Sequence, residues 1–100
     1  MTPRLHYYQL SDQVTAFSTT RHGGYSEGHY GELNVNPYCG DAPEAIAKNR
    51  RILCKKLGII ESHLMMPHQV HGTGITQISK TFFLLSEEIR KTALEGIDAL

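Results

Sequence analysis

The feature that most constrains the fold is one well-delimited helical segment over residues 42–57. Asp41 can accept hydrogen bonds from first-turn amides, and with Glu44 it forms a capping-box-like Asp-x-x-Glu pattern. Pro43 suits the first turn, and Gly58 supplies a left-handed stop. The segment therefore predicts an amphipathic helix with one buried face, whose apolar stripe consists of Ile46, Leu53 and Leu57, widened by Ala42, Ala45 and Ile52.

β-Branched and aromatic residues predict strands ahead of this helix. Residues 5–10 indicate an edge strand, residues 14–20 a second strand and residues 33–35 a short third one. Residues 21–31 hold four glycines and therefore predict a loop. Its amides could form an anion-binding nest with Arg21, or the loop could simply connect two strands; without further information the connection is preferred.

The segments after the helix predict two further strands and a second helix. Residues 64–70 and 74–79 are typical of strands, and Pro67 weakens the first of them, which indicates an edge strand or a position among the strand's opening residues. Ser86 is the predicted N-cap of a helix over residues 87–94. No repeat or long linker interrupts the sequence, so residues 1–100 are interpreted as a single unit.

Composition excludes several classes of protein. The chain has 100 residues, 40% of them hydrophobic and 20% charged, which is ordinary for one folded domain and argues against disorder. Ten Lys and Arg balance ten Asp and Glu, so a nucleic-acid partner is not expected. Neither a membrane span nor the apolar region of a signal peptide is present in the sequence, so no membrane association is expected. Two cysteines are too few for a disulfide scaffold, which favours a reduced, cytoplasmic setting.

His68 and His71 could carry chemistry, depending on the local structure. On a helix the two residues would share a face and could share a metal ion. Pro67 favours an extended chain instead, in which Gln69 and His71 share a face. From spacing alone, a solvated or core histidine is the preferred interpretation.

Arg50 falls on the apolar stripe, so its guanidinium is expected to lie inward or along a groove. It would need an internal carboxylate, the slightly preferred partner, or a bound ligand. Arg51 and Lys48 are expected on the solvated face. Cys54 is interpreted as a small hydrophobic residue and the role of Cys39 stays open, since neither has the spacing of a zinc module.

Six short segments occur together in an order that is not expected by chance: residues 17–24, 26–30, 33–34, 40–41, 49–51 and 69–72. Together they resemble the YfiH/laccase-domain family, whose members are described as polyphenol oxidases and as purine nucleoside phosphorylases. Gln-Val-His-Gly at residues 69–72 is the most specific segment. Thr20 is an additional residue before Arg21, where the family commonly has Ser-Thr-Arg.

The resemblance implies an α+β fold, a four-layer α/β/β/α sandwich of which this chain is the N-terminal part. It also implies one metal ion held by two histidines and a cysteine, and only the first histidine maps onto this chain, at His71. The other two ligands follow residue 100 in the family, and neither Cys39 nor Cys54 matches the ligand cysteine. Zinc suits such a ligand set, and copper is the alternative.

The function implied by the resemblance is a metal-dependent purine nucleoside phosphorylase. Its substrates would be phosphate and adenosine, inosine or methylthioadenosine, with adenosine deamination as a second activity. His71 would be the catalytic and metal-binding residue, and Arg21, Asn34 and Arg50 would line the substrate pocket. Two alternatives stay open: a copper-dependent polyphenol oxidase, and a folding or binding unit that is inactive without the rest of the protein.

Overall fold

The computed structural model describes residues 2–100. They form two compact units, the first ending at Glu61 and the second spanning Ser62–Leu100. The first unit contains strands β1 (Leu5–Ser11) and β2 (Val14–Thr19) and helix α1 (Pro43–Leu57), and the second contains helix α2 (Glu87–Ala93). Short 3₁₀ helices cover Gly28–Tyr30, Glu61–His63 and Lys80–Leu84. The structure is therefore α+β in kind, as expected.

β1 and β2 pair as an antiparallel hairpin, which confirms the first two predicted strands. Tyr7 lies opposite Phe17, and their ring centroids are 6.2 Å apart. The pairing becomes irregular between Tyr8 and Ser11, next to the turn at residues 12–13. At that turn the Ser11 hydroxyl accepts a hydrogen bond from the Gln13 amide at 3.2 Å.

Helix α1 begins and ends within one residue of its predicted bounds. Pro43 occupies the first turn, and Gly58 adopts the left-handed conformation with φ 71°. Ile46 and Leu53 are buried and Leu57 is half-buried, as predicted for the inner face, but Ala42 at the cap is exposed and does not widen it. Cys54 is buried beside Leu53 as a small hydrophobic residue.

The predicted capping box at the start of α1 is wrong. The residue in the cap position is Ala42, and no side chain caps the helix. The Asp41 carboxylate instead accepts from the Ala42 amide at 2.7 Å and from the Ser26 hydroxyl at 2.5 Å. A partner distant in sequence has therefore displaced the local cap.

The innermost polar residue of α1 is Asn49, not Arg50. Asn49 is 0% exposed, whereas Arg50 is only half-buried. Successive helical residues are rotated by about 100°. Asn49 therefore continues the buried row between Ile46 and Leu53, while Arg50 lies at its margin.

The strands predicted at residues 33–35, 64–70 and 74–79 are not formed. Leu33 is buried, but its amide donates to the Arg21 carbonyl in a loop contact rather than in a sheet. In the second unit only isolated parallel bridges occur, His68 with Glu95 and Ile75 with Ala99. A strand requires a continuous hydrogen-bonded neighbour, and the described residues give these segments none.

Helix α2 confirms the second predicted helix and its cap. The Ser86 hydroxyl accepts from the Ile89 amide at 3.3 Å, and Glu87 and Glu88 occupy the first turn. Phe82 and Leu94 are the buried apolar residues of this unit. Across residues 2–100, no helix combines the length and the apolar character needed to cross a membrane.

Replacement of Gly24 is expected to disrupt the packing of the first unit. A Cβ atom there would lie 2.6 Å from Leu33 Cα and 2.7 Å from Asn49 Oδ1. Gly24→Ala is expected to lower the free energy of unfolding by about 3 kcal/mol, as overpacking does. The measurement is urea unfolding followed by far-UV circular dichroism.

Gly28→Ala is the matched control, because Gly28 has φ +62° but open space around its missing Cβ. It should cost only the backbone strain, about 1 kcal/mol. Equal losses for the two variants would contradict the packing argument.

Candidate functional site

The first unit is organised around the fully buried side chain of Asn49. Its Oδ1 accepts from the Tyr25 amide at 2.6 Å. Its Nδ2 donates to Ser26 Oγ at 2.8 Å and to the Asn34 carbonyl at 2.7 Å. Both amide hydrogens are thus used, as a buried polar group requires. One side chain therefore ties helix α1 to the glycine-rich loop and to the segment that carries Asn34.

Asp41 extends this network toward the surface. Its Oδ2 accepts from Ser26 Oγ at 2.5 Å and from Asn34 Nδ2 at 3.2 Å. The Ser26 hydrogen bond is the largest influence on this carboxyl group, and with the bonds from Asn34 and Ala42 it lowers the pKa of Asp41 despite partial desolvation. The carboxylate is accordingly held ionised.

Arg21 lies exposed at the start of the glycine-rich loop. Its Nε donates to the Gly31 carbonyl at 2.8 Å, and its own carbonyl accepts from the Leu33 amide at 2.9 Å. The Gly23 amide donates to Glu32 Oε1 at 2.8 Å. Because loop amides bond within the loop and to Asn49, the geometry agrees with a connection rather than an anion-binding nest.

The side chain of Asn34 is engaged at both ends. Its Oδ1 accepts from the Asn36 amide at 3.1 Å, and its Nδ2 donates to Cys39 Sγ at 3.1 Å as well as to Asp41. Arg50 lies half-buried on α1, directly after Asn49. The structure thus places three of the predicted site residues, Arg21, Asn34 and Arg50, in the first unit and the fourth, His71, in the second.

His71 is exposed and lies in a tight turn of the second unit. Its backbone has φ 59°, the left-handed conformation that costs a non-glycine residue about 1–2 kcal/mol. The amides on either side, Val70 and Gly72, each donate to the Asp98 carboxylate at 2.8 Å. The histidine that the resemblance singles out is therefore presented from a strained, doubly anchored turn.

His68 lies in a different environment from His71. Its Nδ1 is 2.7 Å from Glu95 Oε1, and its backbone forms a parallel bridge with Glu95. The segment is not helical, so the alternative in which both histidines share one helical face does not apply.

The described residues do not by themselves fit a complete metal site. Among residues 2–100, no group of three or more His, Cys, Asp or Glu side chains could hold a metal ion. Cys39 is hydrogen-bonded to Asn34, and burial raises the pKa of the Cys54 thiol, which disfavours the thiolate that metals bind. His71 offers one suitable imidazole nitrogen donor.

Three residues of the site escaped the sequence analysis: Ser26, Asn49 and Asp98. Asn49 carried a signal, because it lies three residues after Ile46 and four before Leu53, on the buried row. Ser26 lies in one of the segments that carry the resemblance, but nothing near Ser26 or Asp98 indicated their hydrogen-bond partners, which are 15 or more residues away.

The comparison with known families identifies the class of protein. The family described as multi-copper polyphenol oxidoreductase laccase matches residues 15–100. The chain belongs to this family, which confirms the resemblance carried by its motifs.

Three curated relatives cover most of the chain. A purine nucleoside phosphorylase of Bacteroides thetaiotaomicron is 37% identical over 98 residues, 96% of the chain and 36% of that protein. Adenosine deaminase RL5 of an unknown prokaryotic organism is 33% identical, over 97% of the chain and 37% of its own length. Purine nucleoside phosphorylase Rv2149c of Mycobacterium tuberculosis is 31% identical, over 91% of the chain and 33% of its own length. The chain spans about a third of the length of these relatives. No solved structure matches the chain significantly.

The lowered pKa of Asp41 predicts an acid-sensitive contribution to stability. Because the folded pKa lies below the ordinary 3.8, Asp41 stabilises the fold above that pH, and the contribution is lost as pH falls through the folded pKa. In Asp41→Asn this component should be absent. Urea unfolding at a series of pH values from about 5 to about 2.5 measures the difference between the two proteins.

Asp12→Asn is the control, because Asp12 is exposed in the hairpin turn. As the pH falls, the free energy of unfolding of this variant should decrease by the same amount as that of the unsubstituted chain. The same decrease for Asp41→Asn would contradict the acid-sensitive contribution assigned to Asp41.

Proposed function

We propose that this chain is the N-terminal part of a metal-dependent purine nucleoside phosphorylase that acts on adenosine, inosine and methylthioadenosine. The observation that carries the proposal is the 37% identity to the Bacteroides thetaiotaomicron purine nucleoside phosphorylase over 96% of the chain. Membership of the family over residues 15–100 supports it, because that match includes His71.

The proposed reaction exchanges one bond for another at the ribose C1′ atom. A phosphate oxygen forms a C–O bond to C1′, the N-glycosidic C–N bond breaks, and the base leaves with the bonding electron pair and takes up a proton. Ribose 1-phosphate and the free purine are the products. The protein must therefore bind a polyanion and an uncharged nucleoside side by side.

The residues of this chain have distinct roles in the proposal. His71 supplies one metal ligand, and segments outside residues 1–100 supply the others. The metal would be zinc, with copper as the alternative, and when bound it would act as a Lewis acid. Arg21 and Arg50 provide the positive charge that phosphate requires. Asn34, held by Asp41 and the Asn36 amide, contributes a fixed part of the pocket wall.

A second activity, deamination of adenosine, belongs to the same proposal. Its support is the 33% identity to adenosine deaminase RL5, over 97% of the chain. The two activities use the same class of nucleoside.

The proposal extends to the architecture and setting of the whole protein. The two units described here would belong to a four-layer α/β/β/α sandwich. Cys39 and Cys54 are both free thiols, which supports a reducing, cytoplasmic location.

Copper-dependent oxidation of phenols is the second candidate, and the family's description favours it. It ranks lower because a single mononuclear site is poorly suited to the four-electron reduction of oxygen. A third candidate, a folding or binding unit without activity of its own, is favoured because residues 2–100 contain no group of three side chains that could hold a metal ion.

The test is an assay of the full-length protein with inosine, phosphate and zinc. Hypoxanthine and ribose 1-phosphate are expected, and their formation should require phosphate. His71→Ala should lower the bound zinc, measured by mass spectrometry, and lower kcat/KM by about a hundredfold or more, because a metal ligand is lost. His6→Ala, an exposed histidine on β1, is the matched control and should change neither quantity.

The other outcomes separate the candidates. Phenol oxidation that requires copper, without phosphorolysis, would favour the oxidase. No product with either metal would refute the enzymatic proposal and leave the binding unit.

A further inference from the structure

The segment that contains His71 and the segment paired with it have unequal numbers of residues between their two bridges. His68 bridges Glu95, and Ile75 bridges Ala99, both in parallel orientation. Seven positions separate His68 from Ile75, but only four separate Glu95 from Ala99. The first segment therefore has three more residues than the second between the two bridges, and His71 lies in that interval.

The Asp98 carboxylate provides hydrogen-bond acceptors for amides of the segment between the two bridges. Its Oδ1 accepts from the Val70 amide and its Oδ2 from the Gly72 amide, both at 2.8 Å. Among the described residues, neither of these amides donates to a backbone carbonyl, whereas the Gly96 amide donates to the His68 carbonyl at 2.9 Å. A side-chain carboxylate thus replaces the missing acceptors, in charge-assisted hydrogen bonds that are stronger than neutral ones.

The position of Asp98 is itself fixed by the other side of the loop. The Asp98 amide donates to the Gly74 carbonyl at 3.0 Å, and the Ala99 amide donates to the same carbonyl at 3.2 Å. Asp98 therefore contacts the loop at three points: before His71, after it, and at its end. The loop has little freedom to change its path while these contacts persist.

The hydrogen bonds to Asp98 flank His71, the residue of the loop that has an unfavourable backbone conformation. His71 has φ 59°, which a non-glycine residue adopts only when its surroundings hold it there. The two bonds to Asp98 lie on either side of this residue. They are the contacts best placed to offset its strain.

We propose that Asp98 is a positioning residue for His71: its carboxylate, by bridging the Val70 and Gly72 amides, fixes the backbone from which the imidazole is presented to the metal. This inference rests on the proposed function in one respect, that His71 is a metal ligand. Asp98 itself does not touch the metal. It acts through the turn, and loosening the turn weakens a ligand that must be correctly oriented.

Asp98→Asn is the sharpest test, because it keeps the size of the side chain. Its Oδ1 can still accept from one amide, but its Nδ2 is a donor and cannot accept from the other. Glu95→Gln is the matched control: Glu95 is a carboxylate of the same segment, but it contacts His68 and not the two loop amides. His71→Ala gives the reference for complete loss of the ligand.

Two quantities are measured on the full-length protein. The first is zinc affinity, from competition with a chelator, and we expect Asp98→Asn to weaken it by about tenfold or more. The second is hydrogen exchange of the Val70 and Gly72 amides in metal-free protein, which should accelerate by about tenfold or more in the same variant. Glu95→Gln should leave both close to the unsubstituted protein. Asp98→Ser, which keeps one acceptor oxygen, is the second variant if Asp98→Asn does not fold.

The outcomes distinguish this inference from the proposed function. Faster exchange of the two amides with unchanged zinc affinity would overturn the positioning role and leave Asp98 a purely structural residue. Equal zinc affinity for His71→Ala and the unsubstituted protein would overturn the metal-ligand role of His71, and the positioning role with it. Unchanged exchange in Asp98→Asn would overturn the anchoring itself, whatever the activity of the enzyme.

Discussion

The buried amide of Asn49 is the interaction on which the first unit depends. The apolar core of this unit is thin, with Leu33, Ile46, Leu53 and Cys54 as its buried hydrophobic residues. Cores of this size give a small chain limited stabilisation. The three hydrogen bonds of Asn49 connect helix α1 to two irregular segments that have no sheet to hold them. The loop that begins at Arg21 therefore owes its shape to a polar contact, which specifies one conformation more narrowly than apolar packing would.

The parts of the fold that could be predicted are those whose signals are local. Helix α2 follows from the Ser86 cap, and helix α1 from its apolar row and from Gly58, all within the segment itself. The hairpin follows from two adjacent strands. The capping box failed because Asp41 had a better partner in Ser26, 15 residues away. The strand predicted at residues 33–35 failed for the same reason, because Arg21 and Asn49 take its backbone groups.

The candidate site shows the same division between local and distant signals. His71 was identified through the resemblance, but nothing near residue 71 indicated a left-handed histidine. The hydrogen bonds on either side of it go to Asp98, which is 26 and 28 residues away from the two amides that donate to it. The sequence favoured Arg50 as the inward-facing polar residue of α1, because it falls on the apolar stripe. Asn49 is the buried residue instead, since neighbouring helical positions point in directions about 100° apart. Sequence patterns locate a functional residue more readily than they locate the contacts that orient it.

The contacts that orient His71 all lie within one unit of the chain. The bridges at His68 and Ile75, the Asp98 carboxylate and the Gly74 carbonyl belong to residues 62–100. In the proposed enzyme, the first metal ligand is thus held by a framework that needs none of the segments supplying the other ligands. A ligand fixed in advance loses little conformational freedom when the metal binds. Such an arrangement suits a site assembled from distant parts of a chain, because only the later ligands have to be brought to the first.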